Sequence, residues 1–144
     1  MLFKNVLGDV VEFGCYVGTT SVYLQKTDVY SERVLHVYDS VEDLPDKTQE
    51  DRSPVGEQFV IGALSVSKNL LIKNFKHAGL SVPIVHKAWF YQLTQNDLPD
   101  SIAFAYLDGD YYRSILTCLK LIWPKLSFGL ITIKWQYAPK QAWQ

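Results

Sequence analysis

Between Gly8 and Ser21 the chain reads Gly-Asp-Val-Val-Glu-Phe-Gly-Cys-Tyr-Val-Gly-Thr-Thr-Ser. A short apolar run closes on the acid Glu12, Gly14 and Gly18 punctuate a turn, and three hydroxyl residues follow. Glycine carries no Cβ, so it accepts positive φ and close backbone approach. Thr19, Thr20 and Ser21 suit a first helical turn, where hydroxyls satisfy free amide donors. The segment predicts a strand, a tight turn and a helix, the unit that holds nucleotide-type ligands on an open α/β sheet. A plain strand–turn–helix without a ligand has the same local pattern, so the rest of the chain must decide.

The spacing narrows the ligand. A dinucleotide fingerprint needs three glycines in Gly-x-Gly-x-x-Gly, with pyrophosphate on the helix N-terminus. Here Cys15, Tyr16 and Val17 fill the space between two glycines, and no lysine follows to make a phosphate loop. Glu12 would repel a phosphate; it suits a cationic ligand or a loop amide.

The 144 residues suit one domain with a buried core, taken as 1–144. A net charge of −1 gives no electrostatic case for nucleic acid or an anionic membrane surface. No run approaches the roughly 18 apolar residues of a membrane span, and no secretory leader is evident. Cys15 and Cys118 are too far apart in sequence for a metal-ligand spacing. A reducing, cytoplasmic setting is expected.

Strands are expected at 10–14, 33–38, 82–87, 102–107 and 130–133, and helices at 18–26, 65–78 and 111–123. The charged stretch 41–57 holds Pro45 and Pro54 and reads as a long loop. Leu70, Leu71, Phe75 and Ala78 recur at helical spacing and stop at Gly79. Residues 102–107, Ile-Ala-Phe-Ala-Tyr-Leu, are apolar throughout, as in a strand covered on both faces. The alternation predicts an α/β fold: a Rossmann-like, doubly wound, mainly parallel sheet of about five strands.

In such sheets ligands sit at the carboxyl ends of the strands. Glu12, Asp39 and the pair Asp108 and Asp110 fall at three of those ends. Asp39 lies about 20 residues after the glycine turn, where a carboxylate can take ribose hydroxyls; it reads equally as a turn residue. Asp108 and Asp110, two apart around Gly109, can share a cation or supply a general base, or Asp110 can cap the next helix. His36, His77 and His86 lie near no candidate nucleophile and read as structural. Trp89, Phe90 and Tyr91 follow the third strand, where an aromatic can pack on an adenine ring or simply open a hydrophobic turn.

Four ordered blocks resemble one family. Residues 8–18 look like a cofactor motif. Residues 37–45, Val-Tyr-Asp-Ser-Val-Glu-Asp-Leu-Pro, look like an Asp-Ser-Phe-Glu-Gly-Leu-Pro segment. Residues 87–90, Lys-Ala-Trp-Phe, resemble a Gly-Trp-Phe element. Residues 102–114 resemble a long block with acids at Asp108 and Asp110. Together they are similar to the macrocin O-methyltransferase family, class I enzymes that transfer methyl from S-adenosylmethionine (SAM) to sugar hydroxyls of natural products. By that resemblance Glu12, Gly14 and Gly18 line the methionine part of SAM, Asp39 holds the ribose, and Ala88, Trp89 and Phe90 lie by the adenine. The implied cofactor set also takes in Tyr16, Ser40 and Asp108. Asp108 and Asp110 are the implied catalytic acids, with Asp108 a ligand for Mg²⁺. The implied partner is a small-molecule hydroxyl acceptor.

Two departures stand out. The family's fifth strand runs into Asp-Asp-Tyr, which completes the metal site, whereas residues 133–137 are Ile-Lys-Trp-Gln-Tyr. Lys134 would compete with a cation. Helices before the first strand and strands after the fifth, usual in class I methyltransferases, are not in this sequence. A sheet ending there has an open edge, so self-association is expected. The readings are thus an active O-methyltransferase, a SAM-binding remnant without turnover, or another nucleotide-binding α/β protein such as a small dehydrogenase. The glycine spacing and Glu12 argue against the last.

Overall fold

The computed structural model describes residues 6–28, 33–42, 49–51 and 68–134. Five strands form one sheet: β1 (Asp9–Phe13), β2 (Leu35–Asp39), β3 (Ile84–Lys87), β4 (Ile102–Leu107) and β5 (Leu126–Ile133). Their order is β3-β2-β1-β4-β5 and every pairing is parallel. The chain winds outward from β1 to β3, then crosses back to β4 on the other side of β1. The carboxyl ends of β1 and β4 therefore flank the point where the winding reverses, the usual ligand crevice of an open α/β sheet. This is the doubly wound parallel architecture expected from the alternation of strands and helices.

Two apolar layers cover the sheet. Val11, Phe13, Tyr38, Ile102, Ala105 and Leu107 pack under α3 (Tyr112–Ile122), which contributes Ile115, Cys118 and Ile122. Val10, Leu35 and Val37 pack on the other face with Leu71 and Phe75 of α2 (Lys68–His77). Both helices present apolar residues at three- and four-residue spacing, one continuous stripe. α1 (Thr19–Asp28) buries Ser21 and Gln25, one turn apart. Gly79 ends α2 at φ 68, with Leu80 N–H donating to the Phe75 carbonyl and Gly79 N–H to Lys76. That is a Schellman close.

Boundaries moved where chemistry outside the periodicity intervened. β3 starts at Ile84 rather than at residue 82, because Pro83 has no N–H for the ladder. β5 starts at Leu126, four residues before the expected start: a short turn, Trp123–Lys125, ends α3 at Pro124, and Leu126 at once pairs with Ile102. Ser127 Oγ bonds Ser101 Oγ at 2.6 Å there. The expected loop at 41–57 lies mostly outside the described residues, as do residues 65–67 and 135–137.

His36 and His86 pack against neighbouring strands and rings. His86 stacks on Tyr38 at 4.3 Å between centroids, and its Nε2 lies 3.2 Å from His36 Nδ1. His36 Nε2 in turn faces the Asp9 carboxylate at 3.5 Å. Burial, then His36, hold His86 below its ordinary pKa. The folded state thus binds a proton at His86 less readily than the unfolded chain, so this contribution to stability is present above about pH 6.5 and lost as pH falls. Thermal melts at about pH 7 and about pH 5 should show His86→Gln losing less stability on acidification than the parent. Equal losses would remove His86 from the account.

Candidate active site

The turn after β1 is built on Gly14, at φ 84. Its N–H donates to the Tyr38 carbonyl at 2.9 Å, and Asp108 N–H donates to the Phe13 carbonyl at 2.8 Å. A Cβ at Gly14 would overlap the Asp108 carbonyl oxygen. The ends of β1 and β4 meet only because that atom is missing. Gly18, at φ 80, closes the turn through its N–H to the Cys15 carbonyl at 2.7 Å and sits under Leu71. Asn74 of α2 braces the same loop, donating to the Val17 carbonyl at 2.8 Å.

Asp39, the last residue of β2, grips this loop. One carboxylate oxygen accepts from the N–H of Cys15 at 2.8 Å and of Tyr16 at 3.3 Å, and the other from Val41 N–H at 2.7 Å. The turn reading of Asp39 is what these bonds show: it holds the glycine loop and its own turn from the end of β2. Ser40 Oγ accepts from Glu42 N–H at 3.2 Å, a local turn contact.

Glu12 is fully buried and neither of its carboxylate oxygens has a hydrogen-bond partner. The Ser21 hydroxyl beside it is likewise buried and unpartnered. Burial pushes the Glu12 carboxyl up to about 8; the nearby Ser21 hydroxyl lowers it in part, and the charges of Asp108 and Asp39 raise it further. Three acids from three adjacent strands thus feel one another. Cys15 lies against the same group, its thiol pushed far up by burial, then by Asp39 and Glu12, which rules it out as a nucleophile.

Asp110 stands at φ 58 and its carboxyl is pushed up to about 6, first by burial and then by Asp108. It does not cap α3. The helix begins after Tyr111, and the Tyr112 N–H donates at 2.7 Å to Asp51, a buried acid from the stretch between β2 and α2. Positive φ at non-glycine residues occurs at Tyr16, Val41 and Asp110, which follow β1, β2 and β4. Such strain, severe for a β-branched valine, collects where a site over-determines the backbone.

After β3, Ala88 N–H donates to the Asp39 carbonyl at 3.0 Å, which places the Ala88–Trp89 step beside the ribose candidate. Trp89 stacks on Tyr91 at 6.2 Å. Phe90 turns inward: its ring meets Phe13 edge-on at 5.6 Å and lies against Gly109. Of these aromatics, Phe90 is partly buried against the core and Trp89 pairs with Tyr91.

Residues 1–142 match the sequence profile of the macrocin-O-methyltransferase (TylF) family. This chain belongs to that family. It is similar to demethyldecarbamoylnovobiocin O-methyltransferase of Streptomyces niveus, 28% identical over 142 residues that cover 88% of this chain and 51% of the relative. It is also similar to the 8-demethyl-8-(2,3-dimethoxy-alpha-L-rhamnosyl)-tetracenomycin-C 4'-O-methyltransferase of Streptomyces olivaceus, 28% identical over 96% of this chain and 56% of the relative. Among solved structures, the O-methyltransferase NovP superposes with TM-score 0.73 and 26% identity, over 92% of this chain and 58% of that one. The calicheamicin methyltransferase CalS11 shares the fold, with TM-score 0.72 and 19% identity over 90% of this chain and 58% of that one. The chain spans about half the length of the curated relatives it matches.

The metal expected from the family resemblance meets an obstacle in the geometry. Lys134 Nζ donates to Asp108 Oδ2 at 2.8 Å, with Asp108 17% and Lys134 49% exposed at the side chain. Among the described residues no group of three His, Cys, Asp or Glu could hold a metal ion. A hard dication takes about six oxygens, and an ammonium on the one well-placed carboxylate repels it. The described residues do not fit Mg²⁺. Among the described residues no helix is long and apolar enough to cross a membrane.

Sequence reasoning missed Asp51, Val41 and Tyr106. Asp51 falls in a stretch without periodicity, and no local pattern links it to Tyr112, sixty-one residues away. Tyr106 looked like one more apolar strand position; its hydroxyl stands among Asp108, Lys134, Thr20 and Glu12, and burial, then Asp108, raise its pKa. Tyr106 is itself the register partner of Glu12 across β1 and β4, a pairing that no local sequence pattern announces.

Proposed function

We propose that this chain binds SAM across the carboxyl ends of β1, β2 and β4 and serves methyl transfer to a hydroxyl of a small molecule, a sugar or another natural product. The observation that carries this is the convergence of Glu12, Asp39 and Asp108 at the reversal of the sheet's winding. A field of carboxylates suits a cofactor with an ammonium and a sulfonium and opposes a pyrophosphate, so it disfavours a dinucleotide. Family membership and the relatives' activities support the same reading, applied to a chain of about half their length.

Bound SAM supplies a methyl group on a positively charged sulfur. The residues of this chain would position it. Asp39 would accept from the ribose hydroxyls while it keeps the loop amides, since each carboxylate oxygen has two lone pairs. Gly14 and Tyr16 would set the loop against the methionine part, and Ala88 and Trp89 would flank the adenine. Asp110, held near neutrality, would take the proton from the acceptor hydroxyl. Placing the two reactants in line is the larger share of such catalysis. Cys15 and Cys118 are free and buried, which accords with a reducing, cytoplasmic setting.

Calorimetric titration with SAM tests the reading. Asp39→Ala should weaken SAM by about 1–3 kcal/mol, the scale of hydrogen bonds to a charged group. Because Asp39 also holds the loop, the ribose contact needs its own control. The parent should prefer adenosine over 2′,3′-dideoxyadenosine, and the variant should not. A preference that survives in Asp39→Ala would sink the ribose role. The second reading, SAM binding without turnover, is favoured by one observation, the engagement of Asp108 by Lys134. Binding with no methyl transfer to any hydroxyl acceptor would select it.

A further inference from the structure

We propose that the Lys134 ammonium occupies the place of the divalent cation at this site, so that the site carries a fixed side-chain positive charge and binds no metal. The inference rests on the O-methyltransferase reading for its use, but its geometry stands alone. Lys134 is the first residue after β5, and its backbone N–H donates to the Leu107 carbonyl at 2.9 Å. That bond fixes the root of the side chain beside Asp108. The ammonium then reaches Asp108 Oδ2 at 2.8 Å.

The carboxylate it meets is in need of a cation. Asp108 Oδ1 is buried without a hydrogen-bond partner, and the other oxygen is the one Lys134 holds. A half-buried carboxylate in that state is stabilised by one close positive charge, and Lys134 supplies it. Asp110 and Tyr106 face the same ammonium and, with Asp108, raise its pKa, so it stays charged. A dication at Asp108 would have to displace the lysine or lie within a few ångströms of it. It would also find no carboxylate on β5, since Leu126–Ile133 contains no Asp or Glu. An ammonium has three donors, and one is spent on Asp108. With half its side chain exposed, Lys134 keeps donors for an oxygen arriving from solvent, the position in which the acceptor hydroxyl would come.

Mn²⁺ titration of the full chain, read by the loss of the free-ion paramagnetic resonance signal, tests this without reference to turnover. The parent should leave Mn²⁺ free through the millimolar range. Lys134→Asp, which removes the ammonium and adds oxygens beside Asp108, should bind Mn²⁺ at least about tenfold more tightly than the parent. Lys134→Met keeps the stem and removes only the charge; it should fall between the two, and it carries the test if the aspartate variant does not fold. Micromolar Mn²⁺ binding by the parent that is lost in Asp108→Asn would overturn the proposal, as would Lys134 variants no tighter than the parent. SAM titration in EDTA is read separately. Its failure would overturn the cofactor reading and leave the Mn²⁺ result to judge this one.

Discussion

Replacing Gly14 by alanine is expected to cost the fold more than the same change at Gly18. Two penalties add at this residue. Its φ of 84 is a conformation that an L side chain reaches only at about 1–2 kcal/mol. The new Cβ would also overlap the Asp108 carbonyl oxygen, a backbone atom held by β4 and unable to swing aside. Relief requires the ends of β1 and β4 to separate, which breaks the bond from Asp108 N–H to the Phe13 carbonyl. A loss of more than about 3 kcal/mol is expected, a large share of the 5–15 kcal/mol typical of a whole domain. Denaturant unfolding of Gly14→Ala measures it. The matching change at Gly18 should be milder, because the atom in the way is the end of the Leu71 side chain, which can turn. Equal losses at the two glycines would mean that the strand ends are not in rigid contact.

The second large effect concerns Glu12. Its carboxyl holds a proton up to about pH 8 in the folded state, against about 4.5 in the unfolded chain. Between those values the folded state binds the extra proton, so its stability falls as pH rises and levels off above the folded pKa. His86 and Asp110 titrate below most of the range from about pH 6.5 to about pH 8.5, which isolates Glu12. Across it the parent should lose about 2 kcal/mol, near 1.4 kcal/mol for each pH unit spent below the folded pKa. Glu12→Gln has no proton to lose and should give a flat profile over the same window. Parallel slopes for the two proteins would show that the charge on Glu12 is compensated within the fold. A cation bound beside Glu12 should favour its ionised form, so the parent should also bind SAM more tightly at pH 8.5 than at pH 6.5, and Glu12→Gln should not.

The sheet was legible because its information is local. Residues 102–107 are apolar at every position and became a strand with those bounds. The glycine turn, the helix stop at Gly79 and the helix break before Pro124 each follow from one residue's backbone preference. The acids at strand ends were legible too, since a strand's carboxyl end is known once the strand is. What a side chain meets there was not. Phe90 was expected beside a cofactor ring, yet it packs on Phe13, because its inward or outward turn depends on the short helical turn at Phe90–Gln92 rather than on composition. Asp110 was a fair helix cap by spacing, but Asp51 took that amide from across the fold. Lys134 stood out as an absent acid; that it would reach Asp108 depends on the register of β5 against β4, which no residue of β5 announces by itself.

The bond between Asp51 and Tyr112 has a mechanical consequence. Asp51 belongs to the stretch that leads from β2, the strand of Asp39, to α2, the helix that braces the glycine loop. Tyr112 is two residues beyond Asp110. That bond ties a residue lying between β2 and α2 in the chain to the first turn of α3 without passing through the sheet. A displacement of Asp51 would therefore act directly on the first turn of α3, two residues from Asp110.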